Sequence, residues 1–431
     1  MRPSRSQQIV VVGAGAAGLM AARELARAGN RVTILEARER CGGRIYPLSG
    51  QEFGYRAEGG AEFVHGEAPL THRLLREAGL GLVPVQGARW NVSQGRFARN
   101  EIQDHDTGRF YERLAELKSD LTVTDFLAQH FSAPAYDRLR HFVLRMVEGY
   151  DAADPSRASM LALRDEWTGS GRGQQARIVG GYGAMIDYLA ADCTRNGASL
   201  RLGAVVSAIE TRDGEALVRC ADGKTCTADA VVVTVPLPLL GQIAFPAAMQ
   251  ERIAAAADIG FGNVVKLLLR FKTRWWTSAK GRDFQDLLFL ISDRTIPVWW
   301  TQHPTEQPVL TGWLAGPGTA AVADLDESAL VEAGLASLRE IFGGSKEQVT
   351  AELVAARAID WAADPFARGA YSYATLTSRA AQSRLSGSQE GILFSGEALY
   401  QGPEMGTVEA ALASGLATAR ALLAAQQIGT S

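Results

Sequence analysis

Residues 8–44 read QIVVVGAGAAGLMAARELARAGNRVTILEARERCGGR, and this stretch decides the fold. An apolar, β-branched run at 9–12 is followed by a glycine-rich turn and by an Ala/Leu/Arg-rich helical pattern that ends near residue 28. A second apolar run at 32–35 ends at Glu36. The order of strand, glycine-rich turn, helix and strand predicts one βαβ unit of a Rossmann-type dinucleotide-binding domain.

The three glycines of the turn, Gly13, Gly15 and Gly18, have G-x-G-x-x-G spacing. Gly13 permits the sharp turn, Gly15 lets a pyrophosphate approach the backbone, and Gly18 lets the helix lie close to the sheet. Free N–H groups at the helix N-terminus attract the phosphates. Glu36 ends the second strand, where a carboxylate accepts hydrogen bonds from ribose hydroxyls. The stretch therefore predicts a dinucleotide site, and by itself it leaves NAD and FAD open.

Composition and charge narrow the classes of function. The 431-residue chain is 47% hydrophobic and 21% charged, with a net charge of −3, which is typical of a globular protein of several domains. The charge gives no support to nucleic-acid binding. Only MRPSRSQ precedes the first predicted strand, and no apolar run reaches the roughly 18 residues of a membrane span. We therefore expect a soluble, cytoplasmic protein, and we interpret the alanine-rich segment 407–427 as a packed helix.

No metal site is expected. The six histidines form no H-x-x-x-H pair, and the four cysteines have no metal-ligand spacing. Cys220 and Cys226 flank a likely hairpin turn at Asp222-Gly223, so they are expected to lie near one another. In a reducing cytosol we predict that all four thiols are free.

Changes of pattern divide the chain. The segment from 69 to about 170 is amphipathic and helical, the glycine-rich residues 168–173 predict a linker, and an α/β pattern returns from residue 180. Apolar runs between 264 and 315 predict strands of a second sheet. We therefore predict an α/β fold with a discontinuous nucleotide domain at 1–68, 176–247 and 388–431, and an α+β substrate domain at 69–175 and 248–387, of which 69–175 is a mainly helical insertion.

Four segments resemble the flavin-containing amine oxidase family, in the order that the family has them. They are RCGGR at 40–44, FGNVVKLLLRFKTRWW at 261–276, DWAADPFARGAYSY at 360–373 and FSGEALYQGPEMGTVEAALASG at 394–415. GAYSY and the Thr-Val pair at 407–408 are more similar to polyamine oxidases and flavin histone demethylases than to monoamine oxidases. The resemblance implies that the nucleotide domain binds FAD.

The resemblance also implies which residues bind FAD. Glu36 would bind the adenosine ribose, Arg44 would lie near the pyrophosphate, and Val206 would contact adenine through its backbone. Glu397 would hold the ribityl or diphosphate part. Thr407 would open a helix whose N–H groups face the N1/O2 edge of the flavin, where the reduced ring is anionic. The full implied set is Gly13, Gly15, Ala17, Gly18, Glu36, Ala37, Arg38, Gly43, Arg44, Gly60, Ala61, Glu62, Phe63, Val206, Glu397, Thr407 and Val408.

The same resemblance implies the catalytic residues. Lys266 would lie next to the flavin N5 through a water and assist hydride transfer or reoxidation, although its pattern alone fits a solvated lysine on a half-buried strand. Tyr371, with Trp361 nearby, would form an aromatic wall of the substrate pocket, whereas ordinary packing also explains such aromatics. Thr407 takes the position of the second tyrosine of monoamine oxidases. Ala370 stands where those enzymes carry the flavin-linking cysteine, so noncovalent FAD is expected.

Other candidate contacts are less specific. His65 would lie by the substrate channel in polyamine-oxidase relatives, and a structural histidine is the alternative. Glu404 and the pair Glu166-Trp167 are candidate partners of a cationic amine, and a place at a loop surface or at the approach to the last helix is the favoured alternative for Glu404.

These features predict an FAD-dependent amine oxidase. It would oxidise a C–N bond of a primary or secondary amine by hydride transfer to flavin N5, and imine hydrolysis and reduction of O2 to H2O2 would follow. The alternatives are an L-amino-acid oxidase, for which Arg89 and Arg145 are candidate carboxylate ligands, an amine dehydrogenase with an electron carrier, and a flavoprotein scaffold without activity. Dimers are common among the relatives, so a homodimer is one assembly to expect.

Overall fold

The computed structural model describes residues 6–99, 105–169 and 173–428, so the centre of the linker predicted at 168–173 lies outside the described residues. The strands in chain order are β1 (Gln8–Val12), β2 (Arg31–Leu35), β3 (Val64–His65), β4 (Leu82–Pro84), β5 (Ala88–Ser93), β6 (Arg96–Arg99), β7 (Gln175–Ile178), β8 (Ser199–Arg201), β9 (Val206–Arg212), β10 (Glu215–Cys220), β11 (Thr225–Ala228), β12 (Ala230–Val233), β13 (Gly260–Gly262), β14 (Val264–Phe271), β15 (Ser278–Ala279), β16 (Arg282–Asp283), β17 (Leu287–Ser292), β18 (Val298–Trp300), β19 (Val309–Ala315), β20 (Leu353–Asp360), β21 (Tyr371–Tyr373) and β22 (Ile392–Phe394).

The α-helices in chain order are α1 (Ala16–Arg27), α2 (Gly50–Phe53), α3 (Pro69–Ala78), α4 (His105–Ala115), α5 (Val123–His130), α6 (Asp137–Gly149), α7 (Met160–Thr168), α8 (Gly181–Arg195), α9 (Gln250–Ala254), α10 (Glu327–Phe342), α11 (Lys346–Glu352), α12 (Ser378–Leu385) and α13 (Val408–Ile428).

A five-stranded parallel sheet is built around the βαβ unit. Its strand order is β22-β12-β1-β2-β8, so the N-terminal strand lies in the middle. Val11 pairs with Val232 on one side and with Ile34 on the other. Residues 9–12 are all buried, as expected for a parallel strand that is covered on both faces. This sheet and its helices confirm the predicted Rossmann-type α/β fold.

The helices α1, α8 and α13 cover one face of the parallel sheet and share its core. Helix α13 approaches α1 closely at Gly415, where a Cβ atom would lie 2.2 Å from the carbonyl oxygen of Ala17. Among the described helices, only α13 is long and apolar enough to cross a membrane, and half of its apolar stretch is buried inside the protein. Residues of the antiparallel sheet β9–β11 join the core on the other face.

A mixed seven-stranded sheet, predicted from the apolar runs between 264 and 315, forms the second part of the fold. Its order is β20-β14-β19-β18-β17-β5-β6, and α10 packs on it around a core that contains Trp276, Trp299 and Leu338. Lys266 lies near the middle of β14, between Trp313 of β19 and Ile359 of β20. The sheet therefore holds this lysine on a rigid, doubly paired strand.

The segment 69–175 contains three strands that the sequence pattern did not predict, namely β4, β5 and β6. Residues 88–93 alternate between buried and more exposed positions, and β5 pairs in parallel with β17 of the distant sheet. The polar residues in ARWNVS obscure this period of two, and the pairing partner lies nearly 200 residues away. Helices α4–α7 share their own core around Phe110, Phe126 and Val143. The predicted domain bounds stay a prediction.

Candidate active site

One cavity of about 3280 Å³ extends from the parallel sheet to the seven-stranded sheet and the helical group. All residues named above for cofactor binding, catalysis and the substrate pocket line it, with the exception of Gly18. Gly18 lies beneath the glycine-rich turn, where a Cβ atom would lie 2.0 Å from the carbonyl oxygen of Gly13. The fold therefore brings together residues that are up to 395 positions apart, from Gly13 to Val408.

The glycine-rich turn has the geometry of a phosphate-binding loop. Gly13 has a φ of 104°, and its N–H donates to the Leu35 carbonyl at 2.7 Å. A Cβ atom on Gly15 would meet only the carbonyl oxygen of Gly42, at 4.0 Å, so the backbone here is open to the cavity. The first N–H groups of α1 have no intrahelical acceptor, and they fit a diphosphate. This end of the cavity therefore fits the dinucleotide half of FAD.

Glu36 and Arg38 are fixed beside this turn. The buried carboxylate of Glu36 accepts hydrogen bonds from the N–H groups of Ala14 at 2.7 Å and Arg38 at 2.9 Å. The Arg38 guanidinium binds both carboxylate oxygens of Asp364, at 2.7 and 3.0 Å, and lies over the Phe366 ring. The segment 360–373 is thereby tied to the nucleotide end of the cavity.

Arg44 and Glu397 join two distant segments. Arg44 Nη1 donates to Glu397 Oε1 at 2.7 Å and to the Ala370 carbonyl at 2.8 Å. The Ser372 hydroxyl donates to the other oxygen of Glu397. Because Glu397 is buried, this ion pair fixes the middle of the cavity, where the resemblance expects the diphosphate and ribityl groups.

Helix α13 also begins at the cavity. Thr407 Oγ1 accepts from the Ala410 N–H at 3.1 Å and donates to the Glu404 carbonyl at 2.6 Å, which makes Thr407 the N-cap. The N-termini of α1 and α13 thus both meet the cavity, and their dipoles favour negative charge at two places. This arrangement fits a diphosphate at one helix and an anionic reduced flavin at the other. Thr407 supplies no aromatic wall, and its hydroxyl serves as a helix cap.

Lys266 forms a buried ion pair in the cavity wall. Its side chain is 1% exposed, and Nζ lies 2.9 Å from Glu62 Oε2 and 3.0 Å from the Gly60 carbonyl oxygen. Burial by itself would raise the pKa of Glu62, but the charges of Lys266 and Arg177 lower it to about 2. The lysine is therefore held by its own strand and by the segment 60–62, which the sequence placed beside the flavin.

Tyr371 and Trp361 differ in their exposure to the cavity. The Tyr371 hydroxyl donates to the Tyr150 carbonyl at 2.7 Å, and its ring is half-buried in the wall. Trp361 is 3% exposed and packs edge-on against Tyr46, with ring centroids 6.4 Å apart. Tyr371 therefore presents more surface to a substrate than Trp361 does.

Several aromatic residues of the cavity wall were not predicted from the sequence. The cavity is also lined by Tyr150, Phe289, Trp300 and Trp313. Trp299 and Trp300 are adjacent in β18, so one side chain enters the core of the seven-stranded sheet and the other faces the cavity. The alternation of a strand was the available signal, but the sequence does not say which of the two faces is the cavity.

His65 is enclosed and neutral at physiological pH. Burial lowers the pKa of His65 to about 4. Its Nδ1 lies within hydrogen-bond distance of the Tyr150 hydroxyl, at 3.1 Å, and of Gln175 Nε2, at 3.3 Å. His65 lines the same cavity as Tyr371.

Among the carboxyl groups that line the cavity, Asp151 and Glu166 lie near Tyr371, and Glu404 lies near Glu166. Burial and the neighbouring Glu166 raise the pKa of Asp151 well above its usual range. Burial also raises the pKa of Glu166 to about 7. Glu166 and Glu404 were named as candidates from the sequence. Asp151 was not, because it follows the end of α6 and no motif surrounds it. Arg89 and Arg145 line the cavity as well, and Arg145 donates to the Ser292 carbonyl.

Comparison with known proteins gives consistent results. A family model described as flavin containing amine oxidoreductase matches residues 16–423. The human lysine-specific histone demethylase 2 is 28% identical over 407 residues, which cover 85% of this chain and 47% of the demethylase. The chain thus spans about half the length of that relative. Probable polyamine oxidase 4 of Arabidopsis thaliana is 28% identical over 91% of this chain and 82% of its own length.

Solved structures show the same fold. Putrescine oxidase bound to putrescine has a TM-score of 0.77 at 19% identity, over 97% of this chain and 99% of the oxidase. Cyclohexylamine oxidase of Brevibacterium oxydans has a TM-score of 0.78 at 19% identity, over 99% of this chain and 100% of its own. At this identity the likeness concerns the fold.

Proposed function

The chain belongs to the flavin-containing amine oxidoreductases, and on this basis we propose that it oxidises the C–N bond of a primary or secondary amine with O2 as the final acceptor. When bound, FAD supplies the two-electron acceptor for the hydride that leaves the carbon beside the amine nitrogen. The observation that carries the proposal is the meeting, in one cavity, of two helix N-termini, Lys266 and the aromatic wall at Tyr371.

The residues of the chain bind, orient and desolvate. Only a neutral amine has the lone pair that assists loss of hydride, and an aromatic, water-poor wall favours the neutral form. Tyr371 and Trp300 provide such walls. The N-terminus of α13 would stabilise negative charge on a bound, reduced FAD. Water then converts the imine to an aldehyde and a smaller amine or ammonia, and O2 takes up two electrons and two protons to give H2O2.

The acidic side of the cavity favours an amine over an amino acid. Asp151, Glu166 and Glu404 line the cavity, and the raised pKa values of Asp151 and Glu166 mean that negative charge is disfavoured there until a cation is bound. A substrate ammonium group would stabilise the ionised forms, whereas a substrate carboxylate would add a further negative charge to this group. Arg145, a candidate carboxylate ligand of an amino-acid oxidase, is already bonded to the Ser292 carbonyl. Relatives named as polyamine oxidases agree with a substrate that carries more than one amine.

Noncovalent binding of FAD is part of the proposal. Ala370 lines the cavity at the position where monoamine oxidases carry the linking cysteine. The four cysteines of the chain are free, and none of them lines the described cavity. Denaturation should therefore release FAD into the supernatant.

The test is a purified protein and a panel of amines. The protein should be yellow, and polyamines or arylalkylamines should bleach it under anaerobic conditions and release H2O2 in air. L-amino acids in the same panel test the amino-acid oxidase alternative. Fast turnover with an artificial acceptor and slow turnover with O2 would favour a dehydrogenase. A yellow protein that no member of the panel bleaches would favour the scaffold, and a protein that binds no FAD would contradict the proposal.

A further inference from the structure

The carboxylate of Glu62 is the centre of a buried polar cluster, here called the Glu62 cluster. Its oxygens accept hydrogen bonds from Lys266 Nζ at 2.9 Å and from Arg177 Nε at 2.9 Å. Trp300 Nε1 donates at 3.1 Å and Gln302 Nε2 at 3.0 Å. The side chain of Glu62 is 6% exposed. Four donors from three separate segments therefore converge on one carboxylate that the sequence had assigned only to cofactor contact.

The cluster contains more positive than negative charge. Arg177 is fixed by the carbonyl oxygens of Thr301 at 2.9 Å and His303 at 3.2 Å, so its guanidinium cannot turn away. Lys266 and Arg177 carry two positive charges, and Glu62 carries one negative charge. The other titratable groups that face Glu62 are Glu58 and Tyr55. This part of the cavity wall therefore has a net positive charge, and the carboxylate of Glu62 stabilises the two buried cations.

Lys266 keeps a donor for the cavity. An ammonium has three N–H groups, and within the described residues two of them are used, by Glu62 and by the Gly60 carbonyl. The lysine lines the cavity although it is almost fully buried. Glu62 thus fixes the direction of the ammonium as well as its charge.

We infer that Glu62 is a positioning residue, which holds the Lys266 ammonium charged and directed into the cavity so that it speeds the reduction of O2. The inference rests on the proposed function only for its O2 step. With FAD bound and reduced, O2 would take up two electrons and one proton that derive from the substrate hydride, and a second proton from solvent, to give H2O2. The first electron converts O2 to an anion, and a fixed cation stabilises that anion without reorganisation.

The kinetic test uses Glu62→Gln, with Glu77→Gln as the matched control. Glu77 pairs with Arg23 in a different ion pair, and it does not line the cavity. The FAD-loaded proteins are reduced photochemically under argon and mixed with O2. We expect reoxidation to slow at least roughly tenfold in Glu62→Gln and to stay within about twofold of the parent in Glu77→Gln.

A double-mutant cycle separates positioning from general damage. Lys266→Met should slow reoxidation, and adding Glu62→Gln to it should change the rate by no more than about twofold. Glu62→Asp keeps the charge but shortens the side chain, so an intermediate rate is expected; this variant serves if Glu62→Gln does not fold. Additive effects of the two substitutions, or a parent-like rate in Glu62→Gln and Glu62→Asp, would overturn the inference.

A second readout is independent of turnover. The chain has six lysines, and the other five are exposed. After ¹³C labelling of lysine side chains, the resonance of Lys266 can therefore be recognised as the buried one. In Glu62→Gln this resonance should move or broaden, because the ammonium loses the anion that it contacts at 2.9 Å and is no longer fixed in one direction. An unchanged resonance would contradict the inference. Neither readout needs an amine, so a parent protein that oxidises no amine would refute the proposed function alone.

Discussion

The end of the cavity at the glycine-rich turn, here called the nucleotide end, presents mainly backbone groups, whereas the end at Lys266 presents side chains. At the first end, the open turn at Gly15 and the first turn of α1 offer N–H groups, and two N–H groups hold Glu36. At the other end, Lys266, Tyr371 and His65 come from three distant segments. A site built from backbone N–H groups requires small residues that leave the backbone accessible. A site built from side chains requires that the fold bring distant residues together.

The largest effect is expected from Gly15→Val. Because the position is open to the cavity, the side chain fits the protein but occupies the space that a diphosphate needs. We expect the FAD content of the purified protein to fall by at least roughly tenfold, with loss of activity in proportion. Absorbance at the flavin maximum and circular dichroism measure the cofactor and the fold separately.

The control for this substitution is Gly241→Val. Gly241 is exposed, and no atom lies within 4 Å of a Cβ added there. It should keep its FAD. If Gly15→Val retains a full complement of FAD, the nucleotide end does not bind through its backbone.

A smaller effect is expected at Tyr371, on kcat/KM and not on the FAD content. Tyr371→Ala should retain FAD and lower kcat/KM for amines roughly fivefold, because an aromatic contact is worth about 1 kcal/mol. Tyr371→Phe keeps the ring and loses only the hydrogen bond to the Tyr150 carbonyl, so it should stay near the parent. Anaerobic reduction rates against amine concentration make the comparison. Equal losses in both variants would mean that the hydroxyl matters more than the wall.

The difference between the two ends explains what could be predicted from the sequence. The βαβ unit lies in one stretch of 37 residues, 8–44, so its spacing alone predicts the parallel sheet and the dinucleotide turn. Lys266 is one of two charged residues in the apolar strand β14, with Arg270, and the role expected for it came from family resemblance.

Side chains that meet only in the folded chain were harder to identify. Glu62 was placed by the flavin, but its partner Arg177 lies in β7, more than 100 residues away. Asp151 follows a helix without a motif, and Trp300 is one of two adjacent tryptophans with opposite directions. Such contacts depend on sheet pairing over long separations, such as that of β5 with β17, which the local pattern does not encode.

At His65 we expect a pH dependence of the free energy of unfolding. Its pKa in the folded protein is about 4, below the ordinary value of 6.5, because burial disfavours the charged form. A lowered pKa means that the unfolded chain binds the proton first, so stability from neutral His65 is present above pH 6.5 and is lost as the pH falls toward 4. We expect the parent protein to lose about 2 kcal/mol from this source between pH 7 and pH 5.

The measurement compares the parent with His65→Gln and with the control His141→Gln, whose side chain is exposed. Denaturant midpoints at pH 7 and pH 5 isolate the histidine, because other groups that titrate in this range, such as Glu58 and Glu166, are common to all three proteins. The difference between pH 7 and pH 5 should shrink in His65→Gln and stay unchanged in His141→Gln. If the change in midpoint between pH 7 and pH 5 is as large in His65→Gln as in the parent, the His65 ring takes up its proton in the folded protein, and its surroundings do not keep it neutral.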